Sequence, residues 1–118
     1  MKITIVAVDL RSPAWAFTAV EDYLTRFPRD WKVELKTVKE EPRHGQSKSD
    51  LMAAEADRIR KAIPKGSLLV TLDERGKDLT TVEFAKKLSA WQDSGESVAF
   101  VIGGTDGIDP ALKQESRM

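Results

Sequence analysis

The chain has 118 residues, 41% of them hydrophobic and 32% charged: enough apolar material for one core, too well patterned for disorder, and too short for a second independently folding core. Nineteen Lys plus Arg balance nineteen Asp plus Glu, which excludes the overall basic charge many small nucleic-acid binders use, so any RNA or DNA contact needs a local patch. The absence of cysteine excludes a disulfide framework, a thiolate metal site and a cysteine nucleophile; with no signal-peptide pattern and no apolar run near the roughly 18 residues of a membrane span, a cytoplasmic location is expected.

Ile3 to Val8 is a short, β-branched apolar run that predicts a buried strand. Ser12 is placed to cap a helix with Pro13 at its first position. From Ala14 to Phe27 the residues Phe17, Val20, Tyr23, Leu24 and Phe27 recur at three- and four-residue spacing, one face of an amphipathic helix that Pro28 ends. Trp31 to Val38 alternates apolar and polar residues, as a strand near a sheet edge does. Lys39 to Ser47, with Pro42, Arg43, His44 and Gly45, reads as an exposed loop.

Ser47 or Ser49 caps the next helix, whose period runs through Leu51, Met52, Glu55, Ala56, Ile59 and Ile63 until Pro64-Lys65-Gly66 closes it. Ser67 to Leu72 is a strand whose continuous run Leu68-Leu69-Val70 predicts burial on both faces, as at the centre of a parallel sheet. After the loop Asp73 to Asp78, Thr80 and Glu83 form a capping box for a helix carrying Phe84, Leu88 and Trp91, ended by Gly95. Val98 to Ile102 is a second fully apolar strand. It runs into Gly103-Gly104-Thr105-Asp106-Gly107, and Asp109-Pro110 opens a last helix of about two turns reaching Met118. No later element buries that helix's face, so the chain reads as cut short. The order βαβαβαβα predicts an α/β fold, a mostly parallel sheet with flanking helices.

In such sheets ligands sit beyond the carboxyl ends of the strands. Two loops fit, Leu72 to Gly76 and Gly103 to Gly107, whose glycines permit close backbone approach; both also read as plain strand-to-helix turns. The glycine loop lacks the lysine and serine of a phosphate-binding loop. His44, the single histidine, has no metal-ligand or triad spacing around it and reads as a solvated loop residue. Asp73 and Glu74 are adjacent on a turn, where side chains diverge, so they do not make an acid/base pair. Trp15, Trp31 and Trp91 read as packing residues. Lys36, Lys39, Arg43 and Lys48, then Arg58, Arg60 and Lys61, form a loose basic cluster interrupted by Glu40, Glu41, Asp50, Glu55 and Asp57.

The strand KITIVAV, the helix PAWAFTAVEDYLTRFP, the turn TLDERGKDLTT and the strand-loop VAFVIGGTDGID together resemble the ribosomal RNA large-subunit methyltransferase H family. These are the 23S rRNA pseudouridine N3-methyltransferases of the SPOUT superfamily. The resemblance spans essentially the whole chain. It implies a SPOUT-like α/β core in a single, C-terminally truncated domain over 1–118, and a cytoplasmic location with a homodimer for the full-length protein, whose missing segment supplies much of the interface. It further implies S-adenosylmethionine as cofactor and a pseudouridine of 23S rRNA in the assembled ribosome as substrate. Leu72, Gly103 and Gly104 would line the cofactor pocket. On that reading Gly104→Val harms cofactor binding more than stability. No metal and no catalytic residue is implied here. Family members continue with a serine-leucine-rich loop, a TLPH-like segment and a final helix that form the knot. That knot-forming segment is absent from these 118 residues, so the resemblance implies activity for the complete family protein and an inactive 118-residue chain. A different class of reading is a non-enzymatic α/β binding or scaffold module, whose glycine loops are only turns.

Overall fold

The computed structural model describes residues 1–9, 13–42, 45, 47–104 and 106–117, with Asp9 by its backbone alone. Among them, strands β1 (Lys2–Asp9), β2 (Lys32–Lys39), β3 (Leu68–Leu72) and β4 (Val98–Ile102) alternate with helices α1 (Ala14–Leu24), α2 (Lys48–Ala62), α3 (Thr81–Asp93) and α4 (Pro110–Gln114). All pairings are parallel, in the order β2-β1-β4-β3. The expected α/β class with a parallel sheet and flanking helices is therefore the observed one.

Period-two alternation splits the strand residues between two layers. On one face Val6, Val8, Leu69 and Val101 pack with Ala56 and Ile59 of α2 and with Ile108 and Leu112. On the other, Ile3, Val70, Val98 and Phe100 meet Trp31 and the α3 residues Phe84, Leu88 and Trp91. The Phe100 ring is tilted against Phe84 at 5.9 Å and lies edge-on to Trp91 at 6.4 Å between centroids.

Local signals place the helix starts. Ser47 Oγ accepts the Asp50 N–H at 3.2 Å, which selects Ser47 over Ser49 as the cap of α2. At α3 the Glu83 N–H donates to Thr80 Oγ1 and the Thr80 N–H donates to Glu83 Oε1, both at 3.1 Å, completing the expected box. Asp109 Oδ2 accepts the Ala111 N–H at 3.2 Å, with Pro110 in the first turn of α4.

Five expectations need correction. Pro13 is itself the N-cap of α1 and provides no side-chain acceptor; Ser12 lies outside the described residues. The helix stops at Leu24, before Pro28, because Thr25 and Arg26 form a turn and Phe27 leaves to stack on Trp31 at 6.1 Å. Its apolar stripe is also uncovered: no residue of α1 is buried, and Trp15, expected to pack, is 74% exposed. β3 lies at the sheet edge, not the centre. Its apolar run reports helix cover above and below, whereas edge position depends on in-plane pairing that facial hydrophobicity does not encode. The outer side of β3 is met by the chain's last described turn, where the Arg117 N–H donates to Leu69 O at 2.9 Å and the Thr71 N–H to Ser116 Oγ at 3.1 Å. The last helix ends at Gln114, and its face is covered: Leu112 is fully buried against the sheet.

Candidate functional site

Leu72 and Ile102 are paired in register at the carboxyl ends of β3 and β4. Both are left open, at 48% and 42% exposure. The chain leaves the sheet there in two turns. After β3 the Gly76 N–H donates to Asp73 O at 2.9 Å; after β4 the Gly107 N–H donates to Gly104 O at 3.0 Å. Gly107 takes φ 90°, which L side chains rarely adopt. Between the turns lies a cleft of about 310 Å³, lined by Leu72, Asp73 and Glu74 on one side and by Ile102, Gly103, Gly104, Asp106, Gly107 and Ile108 on the other. An apolar hollow of about 260 Å³ adjoins it, sharing Leu72 and Ile102 and extending over Ile5, Phe27, Phe84 and Leu88.

Close packing explains the Gly103-Gly104 pair. A Cβ on Gly103 would stand 2.7 Å from Ile108 Cγ1 and 2.8 Å from the Gly107 carbonyl carbon, so only glycine lets the turn fold back on itself. A Cβ on Gly104 would stand 3.0 Å from Glu55 Oε1 and 3.2 Å from Val8 Cγ1. It would point toward the protein interior, not toward a ligand. The steric reason for expecting Gly104→Val to harm binding more than stability is thereby replaced by one that puts stability first.

The sequence-nominated Leu72, Gly103 and Gly104 come together along one cleft. Asp73 and Glu74 separate as expected: the Asp73 carboxylate pairs with Lys113 at 3.1 Å, while Glu74 is exposed. Asp106 lies inside the nominated glycine loop, whereas sequence reading missed Ile108 as a lining residue and Lys113 as the partner of Asp73. It placed Glu55 in the apolar period of α2 without drawing a consequence; a carboxylate inside an apolar stripe is the signal that would have found it. His44, Arg43 and Thr105 lie outside the described residues. The basic cluster is partly used within the fold. Lys36 Nζ donates to Ala62 O at 3.2 Å, Arg58 pairs with Glu41, and Arg60 with Glu115 and Asp57. Trp31 and Trp91 pack against the second layer of the core.

The cleft is suited to an organic cation with a flat apolar part. Exposed Glu74 brings negative charge to its rim, with the Asp73 carboxylate beside it already paired to Lys113, while Leu72 and Ile102 supply apolar contact and the glycine turn lines the other side. Among the described residues no group of His, Cys, Asp or Glu is arranged to hold a metal ion, and no helix is long and apolar enough to cross a membrane.

A family model described as "Predicted SPOUT methyltransferase" matches residues 1–118. The chain belongs to the SPOUT methyltransferase family. Curated relatives named "Ribosomal RNA large subunit methyltransferase H" include one from Paracidovorax citrulli (strain AAC00-1), 56% identical over 114 residues, and one from Acidovorax sp. (strain JS42), 55% identical over 114 residues. A third, from Verminephrobacter eiseniae (strain EF01-2), is 54% identical. Each alignment covers 97% of this chain and 74% of the relative. The resemblance read from the strand and turn motifs thus leads to the same family. Within that SPOUT chain the cleft lies where an open parallel sheet offers a ligand its site, beyond the carboxyl ends of adjacent strands.

Proposed function

We propose that this chain is a single SPOUT-like domain of an S-adenosylmethionine-dependent rRNA methyltransferase acting on a pseudouridine of 23S rRNA in the assembled ribosome. The observation that carries the reading is the juxtaposition at the strand ends: exposed Leu72 and Ile102 in register, beside a glycine turn and carboxylates. The named relatives, at 54–56% identity, support the RNA substrate.

The residues present fit the cofactor. Leu72 and Ile102 would offer apolar surface to a purine, and backbone groups of Gly103 and Gly104, which line the cleft, would be the ones to meet its polar edge. The exposed Glu74 carboxylate at the rim would favour positive charge, such as a sulfonium or an ammonium group carries. When bound, S-adenosylmethionine supplies a methyl group already activated on sulfur. The protein's part is then to hold donor and acceptor in line and to keep water from the apolar side of the cleft. No residue is assigned as the base for the acceptor nitrogen. The open stripe of α1, with Phe17, Val20 and Tyr23 exposed, supports a homodimer, since large apolar side chains left open along one helix face suit an interaction surface. A substrate inside the assembled ribosome supports a cytoplasmic location.

Deletion of the gene, followed by mass spectrometry of 23S rRNA nucleosides, tests the reading. Loss of one N3-methylated pseudouridine, restored by complementation, is the expected result. An unchanged nucleoside profile would contradict it and favour a non-enzymatic binding module.

A further inference from the structure

Two residues of α2 clasp the end of β2. Arg58 Nη1 donates to Lys39 O at 2.9 Å and its guanidinium pairs with the Glu41 carboxylate; the Glu41 N–H donates to Glu55 Oε2 at 3.0 Å. Glu55 is only 7% exposed although it is ionisable, and it shares its buried side with Leu51, Ala56 and Ile59. Among the described residues, Thr4 and Glu55 are the buried polar ones. Burying a carboxylate there carries a desolvation cost that an apolar side chain would avoid, so core stability does not explain it. The other oxygen, Oε1, lies 3.0 Å from the point where a side chain on Gly104 would begin. One carboxylate therefore has the end of β2 on one oxygen and the turn of the cleft against the other.

We propose that Glu55 is a positioning residue that sets the Gly103–Gly107 turn and the Lys39–Glu41 strand end relative to one another, so that occupancy of the cleft is transmitted to the segment leading into the basic loop. The proposal rests on the reading of the cleft as the adenosylmethionine site. A backbone segment hydrogen-bonded to a buried group and a second segment packed closely beside that group are mechanically coupled through it. Whatever a cofactor does to the order of one segment it does to the other, and by linkage an RNA contact on the Lys39 side acts back on the cofactor.

Amide hydrogen exchange resolved by residue, with and without millimolar S-adenosylmethionine, tests this on the wild-type chain, Glu55→Leu and Glu55→Gln. In Glu55→Leu, the Glu41 amide, which loses its acceptor, should exchange about tenfold faster, the size expected for losing one buried hydrogen bond, and the Gly107 amide, bonded to Gly104 O, should exchange faster with it as the turn loses its packing neighbour. The Val6 and Val101 amides should keep their rates and so report an intact sheet. Glu55→Gln retains an oxygen acceptor and should restore most of the protection. In the wild type the cofactor should slow exchange at Glu41 as well as at Gly107; in Glu55→Leu it should no longer reach Glu41. A wild-type rate at Gly107 in Glu55→Leu, or undiminished cofactor protection of Glu41 in that variant, would overturn the proposal. If the cofactor changed no amide of the wild type, the cofactor reading would fail and transmission with it, while the joint response of Glu41 and Gly107 would still decide the positioning role.

Discussion

Asp73 and Lys113 join the loop after β3 to α4 through an ion pair of 3.1 Å, with the carboxylate the better shielded partner. The pair fixes one wall of the cleft to a helix anchored by the fully buried Leu112. Because both side chains retain some exposure, solvent limits its contribution to about 0.5–1 kcal/mol. Lys113→Met should lower the melting temperature by roughly 3–5 °C at low ionic strength. The gap from the wild type should narrow in molar salt. A gap that salt leaves unchanged would show that the lysine contributes through packing and not through charge.

The glycines of the cleft should respond unequally to a methyl group. Gly103→Ala meets the Gly107 backbone and Ile108 at under 3 Å, contacts that force the turn open; a loss of about 2–3 kcal/mol is expected. Gly104→Ala meets the side chains of Glu55 and Val8 at 3.0 and 3.2 Å, which can give slightly, so about 1 kcal/mol is expected. Urea unfolding of both variants gives the order directly. A more stable Gly103→Ala than Gly104→Ala would contradict the packing described for the turn.

Glu83 should make the start of α3 acid-sensitive. Hydrogen bonds from the Thr80 backbone N–H first and from its hydroxyl second, with Lys77 and Lys87 nearby, hold the Glu83 carboxyl below the usual carboxylate range. A depressed pKa means that the stabilisation is fully present above the unfolded-state value and is lost as pH falls through the folded-state value. First-turn amides of α3 should therefore lose protection on acidification in the wild type and vary less with pH in Glu83→Gln. Titration of the Glu83 carboxyl carbon by NMR at or above the ordinary glutamate value would contradict this.

The open face of α1 should control association. Phe17 and Val20 are exposed and three residues apart, on one face of the helix, so Phe17→Glu with Val20→Glu should leave the melting temperature of the monomer within about 2 °C of the wild type, as surface substitutions generally do. Sedimentation velocity should show the wild type as a dimer at micromolar concentration and the double variant as a monomer. Equal sedimentation of the two would remove α1 from the interface.

What was legible in the sequence is what local chemistry determines. Thr80 and Glu83 announce a helix start because the box closes within four residues, and the apolar runs ending at Leu72 and Ile102 announce strand ends with loops where ligands bind. The edge position of β3 was not legible, since two-faced burial follows from helices above and below and says nothing of neighbours in the plane. Nor was the exposure of Trp15: the stripe of α1 has the helical period, but the period does not tell whether a partner element covers it. Glu55 and Lys113 act across sequence separations that no local pattern spans, toward Glu41 and Gly104 in one case and toward Asp73 in the other.

The central claim is that the cleft between Leu72 and the glycine turn receives S-adenosylmethionine. The most direct measurement is an NMR titration of the isotopically labelled chain with the cofactor up to millimolar concentration, a range that detects weak as well as tight binding. Saturable shifts should concentrate at Leu72, Asp73, Gly103, Gly104 and Gly107, with Ile102 methyl resonances moving in parallel. Leu72→Glu should abolish them while leaving the β1 and β4 amides in place. No saturable shift at these positions, or shifts centred on another surface, would contradict the claim.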